Sequence, residues 1–102
     1  MQQRVVEEKS ALEHLARRFD VSRLELFGSA TRGDFDEGSS DLDFLVEFDG
    51  NDTAGFADRY FGLKEGLEAL FGHPVDLVVE SAIKNPYFRD SLDRTRVLLY
   101  AS

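Results

Sequence analysis

The sequence predicts an α+β fold (α/β-like): a small mixed sheet with helices packed on one face and a functional site on the other. Three observations predict it. Helical and strand periodicities alternate along the chain as helix, strand, strand, helix, strand, helix. Each strand separates into an apolar face and a second face. The second face collects Asp41, Asp43 and Asp76. A length of 102 residues suits one modest core. No repeat, linker or low-complexity segment divides it, so residues 1–102 read as a single domain.

Residues 3 to 19 are predicted helical, with Val5, Leu12, Leu15, Ala16 and Phe19 on one stripe. Asp20 and Ser22 mark the exit. Residues 23 to 27, RLELF, form a short strand with Leu24 and Leu26 on one face. Gly28 to Ser40 is a loop. Residues 41 to 48 make a second strand, broken off by Gly50, Asn51 and Asp52. Residues 54 to 71 form a second helix, with Phe56, Tyr60, Leu63, Leu67, Leu70 and Phe71 at helical spacing, and Gly72 and Pro74 stop it. Residues 75 to 79, VDLVV, are a third strand. Asn85 then Pro86 caps and opens a third helix to about residue 94. The tail VLLY, residues 97 to 100, reads as a last short strand.

Composition narrows the function. The net charge is −8, which disfavours long nucleic acids, because phosphate neutralisation supplies most non-specific affinity. It suits a basic protein partner, or a nucleotide accompanied by divalent metal. There is no cysteine, so thiolate catalysis and thiolate metal sites are excluded. No apolar run reaches the roughly 18 residues of a membrane span, and MQQRVVEEKS lacks a signal-peptide core. The expected compartment is the cytoplasm. His14 and His73 have no metal-binding partner at useful spacing and read as structural or exposed.

Leu42, Phe44, Val46 and Phe48 share one face of the second strand; Asp41, Asp43, Leu45 and Glu47 share the other. In the third strand Asp76 and Val78 oppose Val75, Leu77 and Val79. With the apolar sets under the helices, three carboxylates point out of the opposite face. Like charges repel, so stability alone does not gather them. A hard divalent cation reverses that sign. Mg²⁺ takes carboxylate, phosphate and water oxygens, and two such ions clamp both ends of an in-line phosphoryl displacement. The third carboxylate either completes the second metal site or accepts the nucleophile's proton. Gly28 and Ser29, at the end of the previous strand, supply a phosphate cradle. Arg32 matches phosphate oxygens in fork geometry. Taken singly, a D-x-D pair is a solvated strand entrance and Gly-Ser a turn; together, with matching parity, they indicate a site.

The run GSATRGDFDEGSSDLDFLVEF resembles the signature of the DNA polymerase β-like nucleotidyltransferase superfamily. More narrowly, it is similar to the minimal nucleotidyltransferase (MNT) proteins, whose pattern is G-S-x-A-R-G, then S-D-x-D. The resemblance covers nearly the whole chain and implies the nucleotidyltransferase fold. It implies that Gly28 and Ser29 hold the triphosphate of ATP and that Asp41 and Asp43 bind Mg²⁺, with two ions expected. Asp76 matches the third carboxylate; Arg32, Gly33 and Ser40 match supporting positions. Thr31 stands where alanine is usual. Eleven residues, 30 to 40, separate Ser29 from Asp41, one more than the common form.

Family members of this size resemble the antitoxin of a toxin–antitoxin pair. The implied reaction is transfer of AMP from ATP to a tyrosine of a HEPN-domain ribonuclease toxin. Length supports chemistry in trans, since no acceptor-binding domain is left over. Two alternatives accompany this reading. One is a non-catalytic antitoxin that covers its partner. The other is a nucleotidyltransferase with a small-molecule or RNA acceptor, against which stand the missing second domain and the negative charge.

Overall fold

A computed structural model describes residues 3–28, 31, 41–50 and 55–102. The elements are helices α1 (Gln3–Glu7) and α2 (Lys9–Arg18), strands β1 (Val21–Phe27) and β2 (Leu42–Phe48), helix α3 (Phe56–Phe71), strand β3 (Val75–Val79), a 3-10 turn (Glu80–Ala82), helix α4 (Pro86–Thr95) and strand β4 (Val97–Ala101). The expected helix over 3–19 is therefore two helices, with Glu8 as a turn between them. The Leu12 N–H still reaches the Glu8 carbonyl at 2.9 Å, so the ladder resumes at once. β1 starts earlier than expected. Asp20 takes a left-handed turn at φ 57°, which Asp tolerates better than most residues, and Val21 is already buried.

The sheet order is β3-β2-β1-β4. β1 pairs antiparallel with β2 and with β4, whereas β2 and β3 are parallel, so the sheet is mixed as expected. Parallel pairing follows from α3, which crosses over between β2 and β3.

The main core fills one face. Leu24, Leu26, Leu42, Phe44, Val46 and Leu77 from the strands meet Val5, Leu12, Ala16, Leu63 and Leu67 from α1 to α3. Full burial of each leucine contributes roughly 2 kcal/mol. Two glycines let α2 and α3 approach closely. A β-carbon on Gly62 would lie 2.5 Å from Phe19 Cε1, and one on Gly66 would lie 2.8 Å from Leu15 Cδ2. The Tyr60 hydroxyl donates to the Leu77 carbonyl and pins α3 to β3.

The opposite face is divided. Helices on one face describes α1, α2 and α3; α4 lies on the other. Asn85 caps α4, its Oδ1 accepting from the Tyr87 N–H at 2.9 Å and the Phe88 N–H at 3.4 Å, with Pro86 at the first helical position as expected. Leu92 of α4 packs with Phe27 and Leu45 into a second, small core. This explains why Leu45 shares a face with aspartates. That face is part site and part interior.

Candidate active site

β2 and β3 bring the predicted aspartates to one end of the sheet. Their parallel register pairs Asp43 directly with Asp76, and Leu42 with Val75. Side chains at paired positions project from the same face, so these two carboxylates are cross-strand neighbours. Asp41 lies just before β2, two residues from Asp43. Asp41 and Asp76 are exposed, and Asp43 is half-buried.

β1 ends against them. Phe27 pairs with Asp43, and Gly28 follows. Gly28 adopts φ 79°, a region open chiefly to glycine. A β-carbon there would sit 2.5 Å from Asp43 Oδ2, closer than real atoms come. Any side chain at position 28 would thus occupy the space in front of the Asp43 carboxylate. Both backbone polar groups of Gly28 are tied. Its N–H donates to Thr95 Oγ1 at 3.0 Å. Its carbonyl accepts from the Thr31 hydroxyl at 2.9 Å and the Thr31 N–H at 3.1 Å.

Of the residues expected to form the site, Gly28, Asp41, Asp43 and Asp76 fall among the described residues and are brought to one end of the sheet. Ser29, Arg32, Gly33 and Ser40 lie outside the described residues, as does the one-residue expansion between Ser29 and Asp41. Among the described residues, no three His, Cys, Asp or Glu side chains are gathered tightly enough to hold a metal ion by themselves. Mg²⁺ does not require such a cage. One or two carboxylates with substrate phosphates and water complete its six positions. The donors are all hard oxygens, and the glycine places no side chain against Asp43. The residues present fit a magnesium nucleotide better than a structural metal.

Beyond the site on the same face lies an ion-pair cluster that the sequence did not suggest. Glu25 on β1 is 2% exposed. Its carboxylate accepts from the Arg96 guanidinium and, at 3.3 Å, from Arg23. Arg96 also reaches Glu80 at 2.7 Å and Asp93 at 2.8 Å. Burial alone would push the Glu25 carboxyl up, but the hydrogen bonds from Arg96 and Arg23 outweigh it and hold it below its ordinary value. The hydrogen bonds that Arg96 donates to Glu25 in turn raise the pKa of the guanidinium above its ordinary value. This cluster joins β1, the 3-10 turn and the end of α4.

A small mixed sheet whose carboxylates face a strand-end glycine defines a nucleotide-transferring enzyme. The chain belongs to the nucleotidyltransferase domain family, whose model matches residues 8–99. It is 41% identical over 76 residues to a Methanocaldococcus jannaschii chain named "putative protein adenylyltransferase", covering 74% of each. It is 40% identical over 73 residues to the protein adenylyltransferase MntA of Thermococcus cleftensis, covering 72% of this chain and 70% of that one. A solved "putative minimal nucleotidyltransferase" superposes with a TM-score of 0.75 at 33% identity over 95% of both chains. A chain from the complex of a tri-AMPylated Shewanella oneidensis HEPN toxin with an MNT antitoxin shares the fold, with a TM-score of 0.64 at 17% identity over 96% of this chain and 73% of that one. Among the described residues, no helix is long and apolar enough to cross a membrane.

Proposed function

We propose that this chain is a Mg²⁺-dependent protein adenylyltransferase and an antitoxin: it transfers AMP from ATP to a tyrosine of a partner HEPN ribonuclease. The observation that carries the reading is the meeting of Gly28, Asp43 and Asp76 at one end of the sheet. Relatives named as protein adenylyltransferases support a protein acceptor. The fold shared with an MNT antitoxin complex supports a HEPN partner.

Asp41 and Asp43 would hold the metal, with Asp76, the cross-strand neighbour of Asp43, as the third carboxylate. Bound Mg²⁺ would supply positive charge to offset the charge that develops on the phosphate oxygens. Gly28 and Ser29 receive the triphosphate, with Arg32 and Ser40 as supporting contacts. The tyrosine oxygen attacks the α-phosphorus. The bond from that phosphorus to the bridging oxygen breaks, and pyrophosphate leaves with the electron pair. The phenol proton passes to the Asp76 carboxylate and on to water. With ATP as donor, the working compartment is the cytoplasm.

The test is cellular and chemical together. An Asp41→Asn, Asp43→Asn double variant is expected to stay folded, to bind its partner and to fail both to modify it and to protect cells from it. Full protection by this variant would replace the catalytic reading with steric neutralisation.

A further inference from the structure

Thr95 ends α4, outside every motif that defines the family resemblance, yet its hydroxyl is 3.0 Å from the Gly28 N–H. The two residues are 67 positions apart in sequence. We infer that Thr95 is a positioning residue for nucleotide transfer: it fixes the Gly28 peptide from behind, so that the strand end presents its open side to the substrate phosphates and to Asp43. The inference rests on the proposed transfer reaction for its substrate and on the hydrogen bonding alone for its geometry.

The hydroxyl has one proton and two lone pairs. It donates to the Leu92 carbonyl of its own helix at 3.4 Å, which leaves a lone pair for the Gly28 N–H. Thr31 holds the other end of the same residue through the Gly28 carbonyl. Gly28 is therefore gripped from both sides at φ 79°, a conformation with many neighbours for a residue that lacks a side chain to settle it. The grip also has a firm base. Arg96, the next residue, donates its N–H to the Leu92 carbonyl at 2.9 Å and its guanidinium to Glu25, Glu80 and Asp93. The end of α4 cannot drift without breaking that cluster. A loose Gly28 would swing toward or away from Asp43, where a β-carbon's width already separates open from blocked. Small displacements of this kind are costly to a reaction that depends on alignment.

Thr95→Val keeps the shape and removes the acceptor; Thr95→Ser keeps the acceptor. Calorimetry with Mg²⁺ and a non-hydrolysable ATP analogue reads affinity, and transfer to the partner reads kcat and KM. Thr95→Val is expected to weaken analogue binding and raise KM for ATP about 3- to 10-fold, the size of one lost hydrogen bond, with Thr95→Ser restoring both to within about twofold. A merely structural role would lower Tm in both variants and leave KM alone. Amide hydrogen exchange of the wild-type protein adds a test that needs no variant, with the Gly28 amide expected to be protected. A Gly28 amide that exchanges as freely as an open loop overturns the inference, as does a folded Thr95→Val protein with wild-type affinity and KM. Wild-type protein that binds the analogue but modifies no partner would contradict the proposed function and leave this inference standing.

Discussion

A β-carbon on Gly28 would lie 2.5 Å from the Oδ2 atom of Asp43. The glycine and the aspartate come from different strands, and each explains the other. The positive φ of Gly28 turns the chain out of β1, and the missing side chain lets its backbone lie against the carboxylate. Gly28→Ala is therefore expected to cost about 1–3 kcal/mol of stability from backbone strain and to reduce transfer by about 100-fold through misplacement. Thermal melts and initial rates on the same preparation check both. A variant that melts lower but transfers normally would separate the glycine from the chemistry.

Asp43 and Asp76 oppose each other on parallel strands, and like charges at paired positions destabilise a sheet. Asp76→Asn should leave stability unchanged or raise it by up to about 0.5 kcal/mol, from relieved cross-strand repulsion. The same substitution should lower kcat about 10²- to 10⁴-fold if the carboxylate takes the tyrosine proton. Opposite signs in stability and activity are the signature of a residue kept for function. Denaturant titration and single-turnover rates measure the two.

Glu25 and Arg96 predict an acid-sensitive fold. The Glu25 carboxyl is held below its ordinary value of 4.5, so the unfolded chain binds the proton more readily than the folded one. The stabilisation is present above about pH 4.5 and is lost as pH falls through the lower folded value. Glu25→Gln should destabilise the protein by about 1–3 kcal/mol at neutral pH, since it removes the buried charge that accepts from Arg96 and Arg23, while Glu80 and Asp93 still pair with Arg96. It should also flatten the loss of stability between neutral pH and acid. Urea titrations at several pH values test the sign; a variant as steeply acid-sensitive as the parent would assign that sensitivity to other groups.

Gly62 and Gly66 sit where α3 meets α2, and they should not respond alike. The blocked atom at Gly62 belongs to the Phe19 ring, which cannot fold away. At Gly66 it is the tip of Leu15, which can. Gly62→Ala is expected to cost about 1–3 kcal/mol through overpacking. Gly66→Ala should stay within about 1 kcal/mol of wild type, because helix propensity improves by a similar amount. Chemical denaturation of the two variants decides the order.

The difference between these positions also shows what the sequence could reveal. Alternation in LDFLVEF and VDLVV gave the faces of β2 and β3, because strand parity is local and strict. Asn85 and Pro86 announced α4, because capping is written in adjacent residues. The face that α4 covers was not legible, since its Leu92 finds Phe27 and Leu45 through the tertiary fold. Glu25 reads as a solvated strand residue until Arg96, 71 positions later, arrives beside it. Thr95 left no signal either, because a hydroxyl at a helix end has many local uses. The carboxylates were visible because their face and spacing suffice to name them. The residues that hold Gly28 in place were not, because they depend on distant chain meeting distant chain.

The most direct measurement is the intact mass of the partner HEPN protein after incubation with this chain, ATP and Mg²⁺. Protein adenylylation predicts a gain of one or more AMP units, mapped to tyrosine by peptide fragmentation and abolished in the Asp41→Asn, Asp43→Asn variant. An unchanged partner mass at saturating ATP, with wild-type chain bound to it, would contradict it.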